Sequence, residues 1–378
     1  MAILGPRALM DIAVPPGIDA GVLARLQMET GITGQEVIAR AASVLGEANE
    51  YINTRWGGLF YITEQRSARY RQSDGSRTMT PKKAEFGKPD GVRGDQIGHM
   101  LPREDYTDAV QWSAMWLRRA DRELISFDLA EIKERWINRL DFEIITRMLS
   151  DAELAIGTSG YSPGWATGTG YNLNFIPPQW RGYKFTSSHI HFKRTNAAIS
   201  ASNALTMLST MAKELAHHGF GGRKIALVSD ADVDTYTAID PTKFVAFKPR
   251  EFVIATGGSA AIQTIEGELQ GIPGETFGYV STPSGVVELK YHERIPTGYL
   301  WMGQSFGVNN QDNPLAIATE KGVGFGLRVI PKVNNNMVPE LDHVEFEATH
   351  GIGVNDRLNG VAAQIASGGT SYVAPTIT

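Results

Sequence analysis

Cysteine is absent from this sequence of 378 residues. Without a thiol the chain forms no disulfide, no thiolate-ligated zinc or iron–sulfur site and no cysteine nucleophile. Also missing is any apolar run long enough to cross a bilayer. The N-terminal stretch carries Arg7 and Asp11 among its apolar residues and lacks the pattern of a signal peptide. We therefore expect no membrane partner, and a chain that stays soluble until it assembles.

Neither sign of charge dominates, because 36 Lys and Arg residues against 41 Asp and Glu residues give a net charge of −5. This balance excludes a protein whose whole surface is basic, such as a histone-like DNA coat, but leaves room for a local basic segment. Hydrophobic residues make up 42% of the chain, enough to bury a real core, and 40 glycines predict many turns. The length predicts two or three domains, or one elaborated domain.

The motifs of several common enzyme classes are missing, since the sequence has no GxxxxGK[ST], no GxSxG and no HExxH. The string Gly168-Thr169-Gly170 lacks the third glycine of a dinucleotide loop. The segment 230–241 begins with the aspartate spacing of a calcium loop, but has Thr235 and Pro241 where that loop needs Gly and Glu. We expect Asp230 to cap a short helix instead.

Two pairs of histidines are the remaining candidates for metal ligands. His189 and His191 flank Ile190 and would share one face of a strand. His217 and His218 end a predicted helix, where a cation suits the helix dipole. The sequence places no third ligand at metal-binding spacing near either pair, which favours partly solvated structural histidines and predicts no metal site and no cofactor.

Between residues 56 and 116 the chain reads as a long polar excursion that leaves and returns. Its part from 66 to 93 has eight basic and three acidic residues, a local charge of +5 without apolar periodicity. Three interpretations stay open: a solvated loop, a nucleic-acid contact, or a surface for an acidic protein partner. The third is favoured, because identical copies could pair this basic segment with the acidic remainder of a neighbour.

Helical periodicity is strongest from Asp128 and Glu131 to about residue 149. A capping box predicts an earlier helix from Thr33 to about residue 50, and a second long helix is predicted from about Asn196 to Gly219. Short strands are predicted at 59–62 and 224–229, and extended stretches follow, including 323–330 and 343–354. The order is helices, excursion, long helix and then a mixed α+β region, without an internal repeat.

This order of segments resembles the major capsid proteins of tailed bacteriophages, which have the Hong Kong 97 fold. The string DLAEIKERWINRLDFEIITRML matches the long spine helix of that family, and THGIGVNDRLNGVAAQI is similar to its last strands. The resemblance covers nearly the whole chain and rests on architecture rather than on an invariant motif.

The resemblance implies an α+β fold of the Hong Kong 97 type with an N-terminal arm, an extended E-loop, a spine helix, a P-domain and an A-domain. The implied boundaries are 1–55 for the arm and helices, 56–122 for the E-loop, 123–222 for the P-domain with both long helices, 223–335 for the A-domain, and 336–378 for the returning P-domain strand and tail. The subunit-interface residues of the E-loop would be Arg77, Lys82, Lys83, Lys88 and Arg93, and the core of the spine helix would be Leu129, Ile132, Trp136 and Leu140.

The implied function is that of a shell protein, with no catalytic residue and no cofactor, that self-assembles through hexamers and pentamers into an icosahedral phage head. Its partners would be further copies of itself, portal, scaffold and decoration proteins, and packaged double-stranded DNA contacted without sequence readout. The implied location is the virion, assembled in the host cytoplasm.

Two family features are not expected here. Some members carry a long N-terminal segment that a phage protease removes, whereas about 50 residues precede the excursion in this chain, which predicts an uncleaved subunit. Other members join an E-loop lysine to an asparagine of a neighbour. Lys82, Lys83, Lys88, Asn355 and Asn359 are the right residue types, but no surrounding string matches, so no cross-link is predicted.

Two alternative functions stay open. Encapsulin nanocompartment shells share this fold and enclose enzymes, although they are usually shorter and have a compact E-loop. The alternative from another class is a metal-dependent enzyme that uses His189 and His191.

Overall fold

The computed structural model describes residues 34–72, 95–113, 122–156, 160–167, 175–183, 185, 189–247, 274–330 and 341–377. Helices and strands are mixed along the chain, as predicted. The described residues form two compact units, one drawn from Met1–Ile52, Arg103–Asp141 and Thr319–Gly351, the other from Asn53–Pro102, Phe142–Ala318 and Ile352–Thr378. Within the described ranges no helix is long and apolar enough to span a bilayer.

Four α-helices are present in the described part of the chain: α1 (Gly34–Arg55), α2 (Arg122–Leu149), α3 (Ala201–His217) and α4 (Val233–Thr237). The prediction for α2 was wrong at its start, because the helix begins at Arg122 rather than near Asp128. Its first turns have exposed apolar residues, Leu124 at 45% and Phe127 at 67%, so burial periodicity does not mark them.

The start of α3 also differs from the prediction. The helix begins at Ala201 and not near Asn196, because Ser200 is its N-cap: the Ser200 backbone is extended and its hydroxyl accepts a hydrogen bond from the Asn203 backbone N–H. The α1 helix runs to Arg55, five residues beyond the predicted end, and the capping residue Thr33 lies outside the described residues.

The described strands are β1 (Phe60–Thr63), β2 (Ser67–Gln72), β3 (Asp95–Met100), β4 (Glu104–Ser113), β5 (Leu154–Ile156), β6 (Gly160–Ser162), β7 (Phe192–Thr195), β8 (Lys224–Ser229), β9 (Phe244–Ala246), β10 (Thr276–Thr282), β11 (Gly285–His292), β12 (Tyr299–Gln304), β13 (Leu315–Thr319), β14 (Arg328–Ile330), β15 (Leu341–Val354) and β16 (Val361–Ile365). The predicted strand at 323–330 is reduced to β14, because Gly324 and Gly326 have φ of +80° and +138° and interrupt the extended backbone.

In the first unit, the long strand β15 pairs antiparallel with β4 in a continuous register from Leu341↔Ser113 to His350↔Glu104. Residues 345–347 of β15 also pair with β14, so β15 lies between the two strands. The α1 helix of this unit is held by Asn49, whose amide donates to the Leu327 carbonyl and accepts from the Leu327 N–H.

In the second unit, seven strands form a mixed sheet in the order β7-β16-β12-β8-β11-β10-β9. The α3 helix covers this sheet with an apolar face, where Met207, Leu208, Met211 and Leu215 are buried against strand residues such as Leu289. Pairing is parallel for β8 with β11 and for β7 with β16, and antiparallel for β12 with both of its neighbours. In this unit β1 also pairs parallel with β13, and two-stranded sheets join β2 to β3 and β5 to β6.

The aspartates after β8 do not act as predicted. Asp230 lies in a turn of 3-10 helix whose N-cap is Ser229, and neither this turn nor α4 has a side-chain cap bond. Asp232 is buried and accepts a hydrogen bond from the Gly298 backbone N–H at 2.6 Å. The pKa of Asp232 is raised by burial, which outweighs this hydrogen bond. The side chain therefore ties two segments together instead of capping a helix.

Candidate functional site

The predicted E-loop contact residues lie outside the described residues; they are Arg77, Lys82, Lys83, Lys88 and Arg93. The strands on either side of them are described. The β2 and β3 strands pair antiparallel from Ser67↔Met100 to Gln72↔Asp95, so Gln72 and Asp95 lie opposite each other in the second unit.

The four predicted core residues of the long α2 helix are all buried in the first unit: Leu129 0%, Ile132 3%, Trp136 5% and Leu140 0% exposed. The Trp136 ring packs edge-on against His350 of β15, with centroids 4.9 Å apart, and also against Phe325 at 6.1 Å. The opposite face carries ion pairs such as Arg135 with Glu131 at 2.6 Å. These four apolar side chains form part of the hydrophobic core of the first unit and are not suited to bind a polar ligand or a metal ion.

A cluster of metal-ligand residues lies in the second unit, where the segment leading into β7 passes the end of α3. His189 and His191 come from the first of these elements. Glu214 lies in the last turn of α3, and His218 is the C-cap of that helix, with its backbone N–H bonded to the Leu215 carbonyl. The i, i+4 spacing places Glu214 and His218 on one side of the helix end.

The ligand atoms of this cluster converge. His189 Nε2 is 2.5 Å from His218 Nε2 and 2.9 Å from Glu214 Oε1, and His191 Nε2 is 3.1 Å from His218 Nε2. One ligand atom from each of the four residues lies within 4.8 Å of all the others. His191 is fully buried and the others are partly buried.

Groups around the cluster fix its side chains. His191 Nδ1 is 2.7 Å from the Gly360 carbonyl oxygen, which can only accept, so Nδ1 carries a proton and Nε2 presents a lone pair to the cluster. Lys193 Nζ pairs with the second Glu214 oxygen at 3.0 Å. Phe185 stacks on His218, with ring centroids 4.7 Å apart, and covers that side of the cluster.

Burial keeps the buried imidazoles neutral. It lowers the pKa of His191 to about 3, with a further lowering from the nearby His189. Burial also lowers the pKa of His218, and the neighbouring histidines add to that effect. For Glu214 burial raises the pKa, but the His189 hydrogen bond and the Lys193 charge outweigh it and hold the pKa well below its usual range. The cluster thus presents the neutral imidazoles of His191 and His218 and the Glu214 carboxylate at neutral pH.

The expectation that neither histidine pair has further ligands nearby is wrong, because the fold joins one member of the second pair to both members of the first. The i, i+4 spacing of Glu214 and His218 was the missed signal, since two such residues at a helix end can complete the pair formed by His189 and His191, which precede β7 instead of lying on a strand as predicted. His217 points elsewhere and stacks on Tyr183, with centroids 4.0 Å apart.

Comparisons with known proteins bear on the fold. No protein-family model and no curated protein matches the sequence. Among solved structures, the chain is similar to that described as "Mycobacterium phage Patience", with a TM-score of 0.62 and 19% identity over 94% of this chain and 94% of that chain. This likeness confirms, at the level of the fold, the predicted resemblance to phage proteins.

Weaker similarities point to capsids by description only. They include "Capsid structure of the Cyanophage P-SCSP1u", with a TM-score of 0.47 and 8% identity over 82% of this chain and 87% of that chain. Another is "Capsid of native GTA particle computed with C5 symmetry", with a TM-score of 0.44 and 14% identity over 85% and 91%. TM-scores of this size do not establish a shared fold by themselves.

Proposed function

We propose that this protein is a major capsid protein that self-assembles into an icosahedral phage head around double-stranded DNA. The observation that carries the proposal is the fold likeness to the Mycobacterium phage Patience structure over 94% of both chains. The order of segments in the sequence, with the same excursion and long helix as the Hong Kong 97 family, supports it independently.

In this proposal the domains have the boundaries implied by the sequence: E-loop 56–122, P-domain 123–222 with return at 336–378, and A-domain 223–335. The α2 helix is the spine helix, and its buried stripe gives the P-domain a rigid core. In the virion the proposed role of the protein is structural and not catalytic. Many weak contacts between identical subunits sum to a stable closed shell.

The basic segment 66–93, which includes β2 and ends before β3, is proposed as a subunit contact. Like charges gathered in one segment repel each other unless an oppositely charged surface neutralises them, and the chain is acidic outside this segment. A single exposed ion pair contributes only about 0–1 kcal/mol. The same contact repeated at every subunit multiplies that small energy, and salt weakens it.

The test is to purify the full chain and examine it by sedimentation and negative-stain microscopy over a range of salt concentrations. We expect closed particles that contain nucleic acid, fewer of them as salt rises. Particles filled with a cargo enzyme would favour the encapsulin alternative. A chain that stays monomeric at every salt concentration and is active with bound metal would refute the shell function.

A charge-reversal variant tests the proposed contact. Lys82→Glu with Lys83→Glu should leave the circular dichroism unchanged and reduce the particle yield. The matched control reverses Lys243 and Lys321, two exposed lysines elsewhere, with the same change in net charge. Equal yields and equal salt dependence in the wild type and the Lys82/Lys83 variant would show that this segment does not hold the shell together.

A further inference from the structure

We propose that His189, His191, His218 and Glu214 form a binding site for a divalent transition-metal ion, with Zn²⁺ the best-suited ion. This site is independent of the proposed shell function. It rests on the convergence of three imidazole nitrogens and a carboxylate oxygen on one point of the second unit.

Protons alone cannot satisfy the contacts within the cluster. His189 Nε2 must donate to the Glu214 carboxylate at 2.9 Å, because a carboxylate only accepts. If His218 Nε2 also carries a proton, two N–H groups oppose each other across 2.5 Å. If it carries none, its lone pair opposes that of His191 across 3.1 Å. Each arrangement leaves one repulsive contact within the cluster.

A metal ion removes the conflict, because all three lone pairs and the carboxylate charge then point at one positive centre. The ligand set selects the ion: imidazole nitrogens suit Zn²⁺ and its neighbours, whereas Mg²⁺ and Ca²⁺ require oxygen ligands. With Zn–N bonds of about 2.0–2.1 Å, tetrahedral ligands lie roughly 3.3 Å apart. The contacts of 2.9 and 3.1 Å are already close to that spacing. The His189–His218 contact must open by less than about 1 Å, and ligand atoms as far apart as 4.8 Å must approach by up to about 1.5 Å.

The surroundings are those of a structural metal site and not a catalytic one. Four protein ligands fill a tetrahedral zinc, whereas catalytic zinc keeps one position for water. The Gly360 carbonyl holds the His191 ring through Nδ1, which is the usual outer-shell partner of a metal-bound histidine. The cation would also lie at the C-terminus of α3, where the helix dipole favours positive charge. Bound metal would therefore fasten the end of α3 to the segment that enters β7.

The first experiment uses the full-length wild type, stripped of metal with a chelator and then titrated with Zn²⁺ in competition with a chromophoric chelator. We expect one Zn²⁺ per chain at micromolar concentrations. Because an ion that binds only the folded state stabilises it, Zn²⁺ should raise the melting temperature and Mg²⁺ at equal concentration should not. Absence of stoichiometric Zn²⁺ binding by folded wild type would overturn the proposal, whatever the variants do.

The second experiment assigns the ligands with His218→Ala and Glu214→Gln, each checked for folding by circular dichroism. Mutation of an outer-shell partner of a metal ligand already lowers metal affinity by about 10–100-fold. Loss of a direct ligand should therefore weaken Zn²⁺ binding by about 100-fold or more. The matched control is His217→Ala, which removes the neighbouring histidine outside the cluster and should bind like the wild type. Wild-type affinity in a folded His218→Ala variant would place the metal elsewhere and overturn the assignment.

Discussion

Replacement of Trp136 tests the packing of the long α2 helix directly. The indole is 5% exposed and lies between His350 and Phe325. A buried Trp removes about 150–250 Å² from water. At about 25 cal/mol per Å² this corresponds to roughly 5 kcal/mol, part of which an alanine methyl retains. Trp136→Ala should therefore destabilise the protein by about 3–5 kcal/mol.

The assay is thermal unfolding of the purified full-length chain, with the near-ultraviolet signal as the readout. At about 2.1 cal/mol/K per residue, the unfolding entropy of 378 residues corresponds to roughly 1.3 °C per kcal/mol, so the expected fall in melting temperature is about 4–6 °C. The matched control on the same helix is Phe127→Ala, because this ring is 67% exposed and its loss should change stability by no more than about 0.5 kcal/mol. Equal melting temperatures for Trp136→Ala and wild type would refute the buried placement of the stripe.

A conservative variant separates packing from polarity at the same position. Among the described residues the buried Trp136 Nε1–H has no hydrogen-bond partner. An unpaired buried donor destabilises the folded state by about 1–3 kcal/mol. Its removal in Trp136→Phe therefore offsets part of the packing free energy that is lost with the smaller ring. We expect this variant to stay within about 1.5 kcal/mol of the wild type, and a loss as large as that of the alanine variant would contradict the argument.

Two further predictions concern the second unit. Gly360→Ala should destabilise it by about 1–3 kcal/mol in urea unfolding, because a Cβ there would lie 2.5 Å from the buried Trp165 ring, whereas Gly221→Ala, with open space, should be neutral. Burial lowers the pKa of His99 to about 4, so the stability that this neutral ring contributes is present above about pH 6.5 and lost as the pH falls to 4. The test is urea unfolding of wild type and His99→Gln at about pH 6.5 and about pH 4, since glutamine keeps the hydrogen bond to the Val354 carbonyl. Between these pH values the variant should lose about 2–3 kcal/mol less unfolding free energy than the wild type. Identical losses in the two proteins would contradict the prediction.

Local patterns predicted the elements that depend on local physics. The fully buried β8 was predictable from a short apolar run, and the interior of α2 from apolar residues at helical spacing. In both segments the buried positions follow the period of the element itself. Element ends were less predictable. The exposed first turns of α2 leave no apolar signal, and the start of α3 depends on the single capping hydroxyl of Ser200.

The candidate metal site could not be predicted because it is a product of long-range topology. Its two halves are separated by the whole length of α3, and only the packing of that helix on the sheet brings His218 to His189 and His191. Sequence spacing identifies ligands within one element, such as Glu214 with His218. It does not identify which elements meet in the folded protein.

The place of β16 in the seven-stranded sheet has a consequence for synthesis of the protein. This strand follows every other described strand in the chain, yet it lies between β7 and β12, with Ala362 paired to both Phe192 and Trp301. In the described sheet β7 is joined only through β16, so in a nascent chain β7 cannot join the sheet until the ribosome has released residues 361–365. Pairing across such sequence distances is slow, and a chain that stops earlier exposes two unpaired strand edges. Interrupted translation products would thus be substrates for chaperones and proteases.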